Sequence, residues 1–330
     1  MGVIGWLDRL QRRRRWAGLP LAVVYKMIDD QASYLVTIIA YYGFVSLFPL
    51  LLLLVTILGF ALAGNPALQE EVLHSALRDF PVLGDQIGDN IHTLQGSTAG
   101  LVVGVAGSVY GALQVGVAVQ NAMNKIYAVP RADRPALHLL YGRSLALVAI
   151  LGLSVVVTTG LSALSTAAGS YGIGPVDAAL RAGAVVVSML VNAGFVLFAY
   201  RVLTVGARPV RQLWPGALTA SVLWQVLQAV GTYLVEHQLR GATATYGLFG
   251  LVLGLLTWLY LAALILVAGA EINVVRSERL YPRSLLAPDP TDTALTRADR
   301  QAYAAYAKTE RQKDHQTVET EFQPQERDAR

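Results

Sequence analysis

Residues able to do chemistry are few in this chain, because 54% of the sequence is hydrophobic and only 15% is charged. Hydrolysis of a phosphodiester needs a metal cage or a pair of acid–base groups. No two of the five histidines have the spacing of metal ligands, no carboxylate cluster accompanies them, and cysteine is absent. We therefore expect no catalytic residues, no metal, no cofactor and no enzymatic activity. The histidines are His74, His92, His138, His237 and His315.

Glu271 is the one acid that adjoins the apolar core of a predicted membrane span. A charge at the centre of a bilayer costs about 2.5–3.5 kcal/mol, so such residues are functional candidates. Its place near the end of its span predicts a position at the membrane edge, close to where Asp29 and Asp30 precede the first apolar stretch. It either forms an ion pair that locks helix ends or takes part in gating or headgroup contact. The candidate set is Glu271 and Asn273, with Arg201 or Arg143 as the partner of Glu271.

Five amide side chains interrupt the apolar stretches, and each must find a hydrogen-bond partner inside a helical bundle. Ordinary hydrogen bonds between helices, worth about 0.6 kcal/mol each on average, are one interpretation. The alternative is that the amides converge with Ser46 and Pro49 on a polar cavity. The candidate cavity residues are Ser46, Pro49, Gln114, Asn121, Asn192, Gln225 and Gln228.

The first apolar stretch, 35–63, has no charged residue but carries Ser46 and Pro49 in its middle. Proline lacks an N–H and displaces the carbonyl four residues earlier, here that of Val45, so we expect the helix to be broken there. The Ser46 hydroxyl or a neighbouring helix is the candidate partner for that carbonyl. The break either opens the span onto a polar interior or seats it against a face of glycines in the next span. Those glycines are Gly100, Gly104, Gly107 and Gly111.

The apolar stretches predict an all-α, polytopic membrane protein with six transmembrane helices in a domain covering 35–276. Basic residues decide the orientation: sixteen lie in the two termini and alternate loops, against three in the remaining loops. Both termini are therefore predicted to be cytoplasmic. The predicted spans are 35–63, 100–119, 144–168, 182–203, 214–235 and 246–275.

Three polar segments flank or interrupt the spans. Residues 1–34 combine an arginine run with tryptophans, which indicates an interfacial segment that contacts membrane lipids with anionic headgroups rather than nucleic acid. Residues 64–96 predict outward amphipathic helices that offer a docking place for a protein partner. Residues 277–330 predict a polar, disordered cytoplasmic tail with one helix near 297–313.

Several motifs together resemble the YihY/BrkB family of bacterial inner-membrane proteins. They are AYYGFVSLFPLLL in the first span, Gln120-Asn121, Pro215-Gly216-Ala217, Tyr246-Gly247 and GAEIN at 269–273. The resemblance implies a multi-pass protein of the bacterial inner membrane. It also implies lipid or glycolipid export, and a relation to proteins once labelled ribonuclease BN, a name now regarded as a misassignment. We expect a transporter-like protein; the alternative is a scaffold that docks partners without transporting, and ribonuclease activity is not expected.

Overall fold

The computed structural model describes residues 15–61, 98–169, 174–206, 208–234, 240–284 and 295–322. Within these ranges the regular structure is helical and no strand occurs, which confirms the all-α prediction. The helices are α1 (Arg15–Asp29), α2 (Ala32–Ala61), α3 (Thr98–Ile126), α4 (Leu137–Gly169), α5 (Gly174–Leu203), α6 (Val210–Leu234), α7 (Arg240–Ser277) and α8 (Arg297–Thr309), with a short 3-10 helix at Arg131–Asp133.

Five of these helices hold a stretch long and apolar enough to cross a bilayer. They are Ala32–Leu50, Leu101–Ile126, Leu137–Ser154, Val186–Leu203 and Val252–Ser277. The helix α6 is not among them, because Gln225 and Gln228 lower its mean hydropathy. The prediction of an all-helical membrane protein is therefore confirmed. The count of six spans and the cytoplasmic position of both termini stay predictions.

Large apolar side chains lie exposed along the predicted spans. Val102 is 61% exposed, Phe198 53% and Phe249 68%. A water-soluble monomer rarely exposes extended apolar surface of this kind, whereas a bilayer covers it. The exposed faces of these helices thus suit lipid, and the buried faces hold the protein contacts.

The chain divides into two compact units, each formed from separate stretches of sequence. Unit 1 comprises Met1–Leu35, Val119–Gln225 and Leu264–Arg330. Unit 2 comprises Val36–Ala118 and Val226–Ala263.

Within unit 2, α2 and α3 approach each other through two glycines. A Cβ placed on Gly107 would lie 2.7 Å from the Cβ of Pro49, and one on Gly111 would lie 2.5 Å from the Cβ of Ser46. Real Cβ atoms do not approach so closely, so the small residue is what permits this contact. These contacts agree with the interpretation that seats α2 against the glycine face.

The expected break at Pro49 needs correction, because α2 continues as a helix from Ala32 to Ala61. The Ser46 hydroxyl donates to the carbonyl of Gly43 at 2.7 Å. A hydroxyl has one hydrogen to donate, so this bond leaves none for the Val45 carbonyl. The proline is thus accommodated within a continuous helix.

The described part of the tail holds the helix predicted near 297–313. Residues 297–309 form α8, with Thr296 and Asp299 making a reciprocal capping box at its start. Such a box satisfies two backbone N–H groups that a helix start leaves without partners. The helix lies within the predicted range 297–313. The predicted amphipathic helices at 64–96, the arginine run before Arg15, and His74, His92 and His237 lie outside the described residues.

Candidate functional site

Glu271 lies near the C-terminal end of α7, and its side chain is completely buried. Its partner is Lys26 of α1, whose Nζ lies 3.5 Å from Glu271 Oε2. The predicted arginine partners are wrong. Arg201 is exposed and donates to the Arg208 carbonyl at 3.3 Å, and no ion pair joins Arg143 to Glu271 in the described residues. Lys26 is the cation that the structure places beside Glu271.

Lys26 is held by partners from several parts of the chain. Its ammonium is paired with Asp30 and donates to the carbonyl of Ile126, at the end of α3, at 2.9 Å. It also lies 5.3 Å from the centre of the Tyr306 ring. We call Lys26, Asp30, Glu271 and Tyr306 the Lys26 cluster; all four belong to unit 1.

The turn between α1 and α2 positions Asp30. The Asp30 N–H donates to the Lys26 carbonyl at 2.9 Å, which keeps the last turn of α1 helical. Gln31 then takes a left-handed backbone conformation with φ of 54°, and α2 begins immediately at Ala32. This tight turn directs Asp30 towards Lys26, one helical turn earlier, instead of towards solvent.

The Lys26 cluster has two carboxylates for one ammonium. Neither oxygen of Glu271 accepts a hydrogen bond from a donor in the described residues, and the same holds for Asp30 Oδ1. Burial raises the pKa of the Asp30 carboxyl, and the Lys26 ammonium opposes that increase. A buried ion pair stabilises a fold only when its remaining lone pairs are also satisfied. This cluster is not satisfied, so stability alone does not explain it.

Asn273 has a different part in the structure. Its Oδ1 accepts a hydrogen bond from the Gly216 N–H at 2.7 Å. A Cβ on Gly216 would overlap the carbonyl of Gly269, so α6 and α7 meet backbone to backbone here. The Tyr200 hydroxyl donates to the Leu266 carbonyl at 2.7 Å and joins α5 to the same stretch of α7. The GAEIN motif therefore joins helices through Gly269 and Asn273, while its Glu271 faces Lys26.

A second buried ionic group connects the tail to α1. Arg283 is fully buried, with Nη2 2.8 Å from Asp29 Oδ2 and its Nε donating to Asp299 Oδ1. Asp299 lies in the first turn of α8. The bridge therefore holds α8 against the end of α1 and keeps Tyr306 beside Lys26.

The seven candidate cavity residues are divided between the two units. Ser46, Pro49, Gln114 and Gln228 belong to unit 2, and Asn121, Asn192 and Gln225 to unit 1. Asn121 and Gln228 are exposed in the described structure, and the others are half-buried. A shared polar cavity therefore stays a prediction.

Gln120, the neighbour of Asn121, also joins two helices. It is buried, and its Nε2 donates to the Leu140 carbonyl at 2.8 Å and to Ser144 Oγ at 3.0 Å, both on α4. This is the interhelical hydrogen bond expected of a polar residue in a span. The sequence analysis missed it, because helical phase near the end of α3 decides which of two adjacent amides faces inward.

The sequence analysis also missed Lys26 and Tyr306, although it placed GAEIN close to Asp29 and Asp30. The available signal was the i, i+4 spacing of Lys26 and Asp30 directly before an uncharged span. No group of three or more His, Asp or Glu side chains with the geometry of a metal site occurs in the described ranges.

Comparison with known proteins gives one finding and two negative results. The family model described as virulence factor BrkB matches residues 23–293, which includes the end of α1 with Lys26 and all of α7. No curated protein and no solved structure matches the chain. Because the match extends over most of the sequence, the chain belongs to the virulence factor BrkB family of membrane proteins.

Proposed function

We propose that this protein is a transporter-like protein of the bacterial inner membrane that moves, or assists the export of, an amphipathic substrate such as a lipid or glycolipid. In this proposal the Lys26 cluster is the gate at the predicted cytoplasmic end of the spans. Both termini lie in the cytoplasm, and the N-terminal arginine run contacts anionic headgroups.

The observation that carries the proposal is the burial of Lys26, Asp30 and Glu271 together at the end of a membrane span. Ionisable residues at such places are costly and mark substrate or ion pathways in membrane proteins. A purely structural contact between α1 and α7 would be at least as stable with apolar side chains of similar volume. An ion cluster that can rearrange suits an element with two states.

The amphipathic nature of the substrate is supported by the exposed apolar faces of the spans and by the family resemblance. A lipid can enter such a bundle sideways from the bilayer, with its headgroup among polar side chains and its chains in the membrane. Among the candidate amides, Gln225 is the polar side chain proposed to contact the headgroup.

The test is flux of labelled lipid or glycolipid in vesicles that contain the purified protein. We expect flux above that of empty vesicles, a loss of at least tenfold in Glu271→Gln, and smaller losses in Ser46→Leu and Gln225→Leu. Glu278→Gln is the matched control. Glu278 follows directly after α7, but it is exposed and pairs with Arg208 at 3.2 Å.

Flux in wild type equal to that in empty vesicles would contradict transport. With intact folding, that result would favour the alternative scaffold role. A Glu271→Gln protein that folds and transports like wild type would contradict the gate, and would leave the Lys26 cluster a structural contact only.

A further inference from the structure

The charges around the Lys26 cluster do not balance. The titratable groups that face it are Lys26 and Asp30 from the α1 end, Glu271 from α7 and Tyr306 from α8. The next charges outward are Arg283, Asp29 and Asp299, and they pair with one another. Burial raises the pKa of the Tyr306 hydroxyl, so it stays neutral. With both carboxyls ionised, the cluster would carry one net negative charge in a space closed to water.

The hydrogen bonds of Lys26 cannot satisfy both carboxyls of the cluster. An ammonium has three N–H groups. Lys26 donates one to Asp30 and one to the Ile126 carbonyl, while its contact to Glu271 is an ion pair at 3.5 Å. The one remaining N–H can reach at most one of the two Glu271 oxygens, and neither oxygen accepts a hydrogen bond within the described residues. The Asp30 and Glu271 carboxyls both lie against the same Lys26 ammonium, and a hydrogen bond between two carboxyls needs a proton on one of them.

We propose that the Lys26 cluster is a proton-binding site, in which Asp30 and Glu271 share one proton in a carboxyl–carboxylate hydrogen bond beside the Lys26 ammonium. One carboxyl then donates to the other, which supplies the missing donor. The cluster becomes electrically neutral, with one ammonium, one carboxylate and one carboxylic acid.

Two carboxyls in one buried site cannot easily ionise together, because the second negative charge has neither solvent nor a second cation near it. Lys26 balances one of them. The raised pKa of the Asp30 carboxyl agrees with this arrangement. The ligand is therefore a single proton, taken up from water when the cluster closes and released to water when it opens.

The consequence for the gate rests on the proposed function. Loss of the shared proton leaves a net negative charge between α1 and α7 and removes the hydrogen bond that joins them. Proton release therefore favours the open arrangement and proton uptake the closed one. Gate opening therefore depends on the pH of the solution on the side of the membrane to which the cluster opens.

The direct test is infrared difference spectroscopy of the purified full-length protein in lipid nanodiscs during a pH titration. We expect wild type at neutral pH to show the carbonyl stretching band of a buried, protonated carboxyl. The band should disappear in Glu271→Gln and in Asp30→Asn, because either change leaves one carboxylate for one ammonium. The control Glu278→Gln should keep it.

The wild-type spectrum alone tests whether a buried carboxyl is protonated at neutral pH. Absence of a protonated carboxyl band at neutral pH would overturn the proton site, as would a band that persists in both cluster variants. A band in wild type that disappears in Asp30→Asn alone supports the site even if Glu271→Gln does not fold.

Flux measurements separate this inference from the proposed function. With the band present, flux that increases at least threefold from acid to alkaline pH supports coupling, and flux independent of pH refutes coupling. Absence of flux at every pH, with the band still present, refutes transport and leaves the proton site standing.

Discussion

Replacement of Lys26 by methionine removes the cation of the buried Lys26 cluster while nearly keeping the volume of its side chain. The Lys26 side chain is 3% exposed, and those of Asp30 and Glu271 are fully buried. Removal of one partner from a buried ion pair costs about 3–5 kcal/mol, because the remaining charge has no solvent to replace the lost partner. The Asp30 and Glu271 carboxyls both lose their neighbouring cation here, but protonation limits the cost. We therefore expect a loss of about 3–5 kcal/mol in the free energy of unfolding at neutral pH.

The pH dependence of Lys26→Met has a definite sign. Burial already raises the pKa of Asp30 in the folded state, and removal of the opposing ammonium raises it further. Between the ordinary pKa and this raised value, the folded protein binds more protons than the unfolded chain. The contribution of Asp30 to stability is therefore present at acid pH and is lost as the pH rises through the folded-state value. Lys26→Met should lose stability from acid to neutral pH more steeply than wild type.

The assay is reversible denaturant unfolding in mixed micelles for wild type, Lys26→Met, Glu271→Gln and the double variant. We expect the double variant to recover about 1–3 kcal/mol relative to the sum of the single effects, because the residues are in contact. Lys125→Met is the control. Its ammonium bonds Gln31 on the surface at 3.1 Å, so it should change stability by about 0.5 kcal/mol or less.

The reasoning is refuted if Lys26→Met costs less than about 1 kcal/mol, or if the two single effects simply add. Either result would mean that Lys26 and Glu271 do not interact as a buried pair.

Three further predictions concern the contacts around the spans. Gly111→Ala should cost about 1–3 kcal/mol because its Cβ would lie 2.5 Å from Ser46; thermal unfolding checks this against Gly142→Ala, where nothing lies within 4 Å and no loss is expected. Asn273→Ala should cost about 1–3 kcal/mol in the same measurement, since the buried Gly216 N–H loses its acceptor. Arg283→Met should release α8 and speed tryptic cleavage after Arg297 and Arg300, whereas Arg276→Met, on an exposed position, should leave the cleavage rate unchanged.

Local sequence was sufficient to predict the helical elements. Each predicted span falls on a helix of the structure, because a long apolar stretch in lipid must satisfy its backbone hydrogen bonds within itself. The glycine face of α3 was visible as a repeat, and its contact with Pro49 was one of two interpretations that the sequence left open. The continuity of α2 through that proline did not follow, since it depends on packing between helices.

The pairing of the charged residues was decided only by the tertiary structure. The sequence indicated Glu271 as a candidate and placed it near Asp30, because both adjoin the ends of predicted spans. It did not identify Lys26 as the partner of Glu271. The two residues lie far apart in sequence, and nothing local shows which face of α1 lies near Glu271. Nor did it predict that Arg283 would hold α8 in place, because that bridge joins residues from three distant segments. The length of an apolar stretch is a local property, and it fixes which segments are helices. Which of several cations pairs with one buried carboxylate depends on how those helices pack.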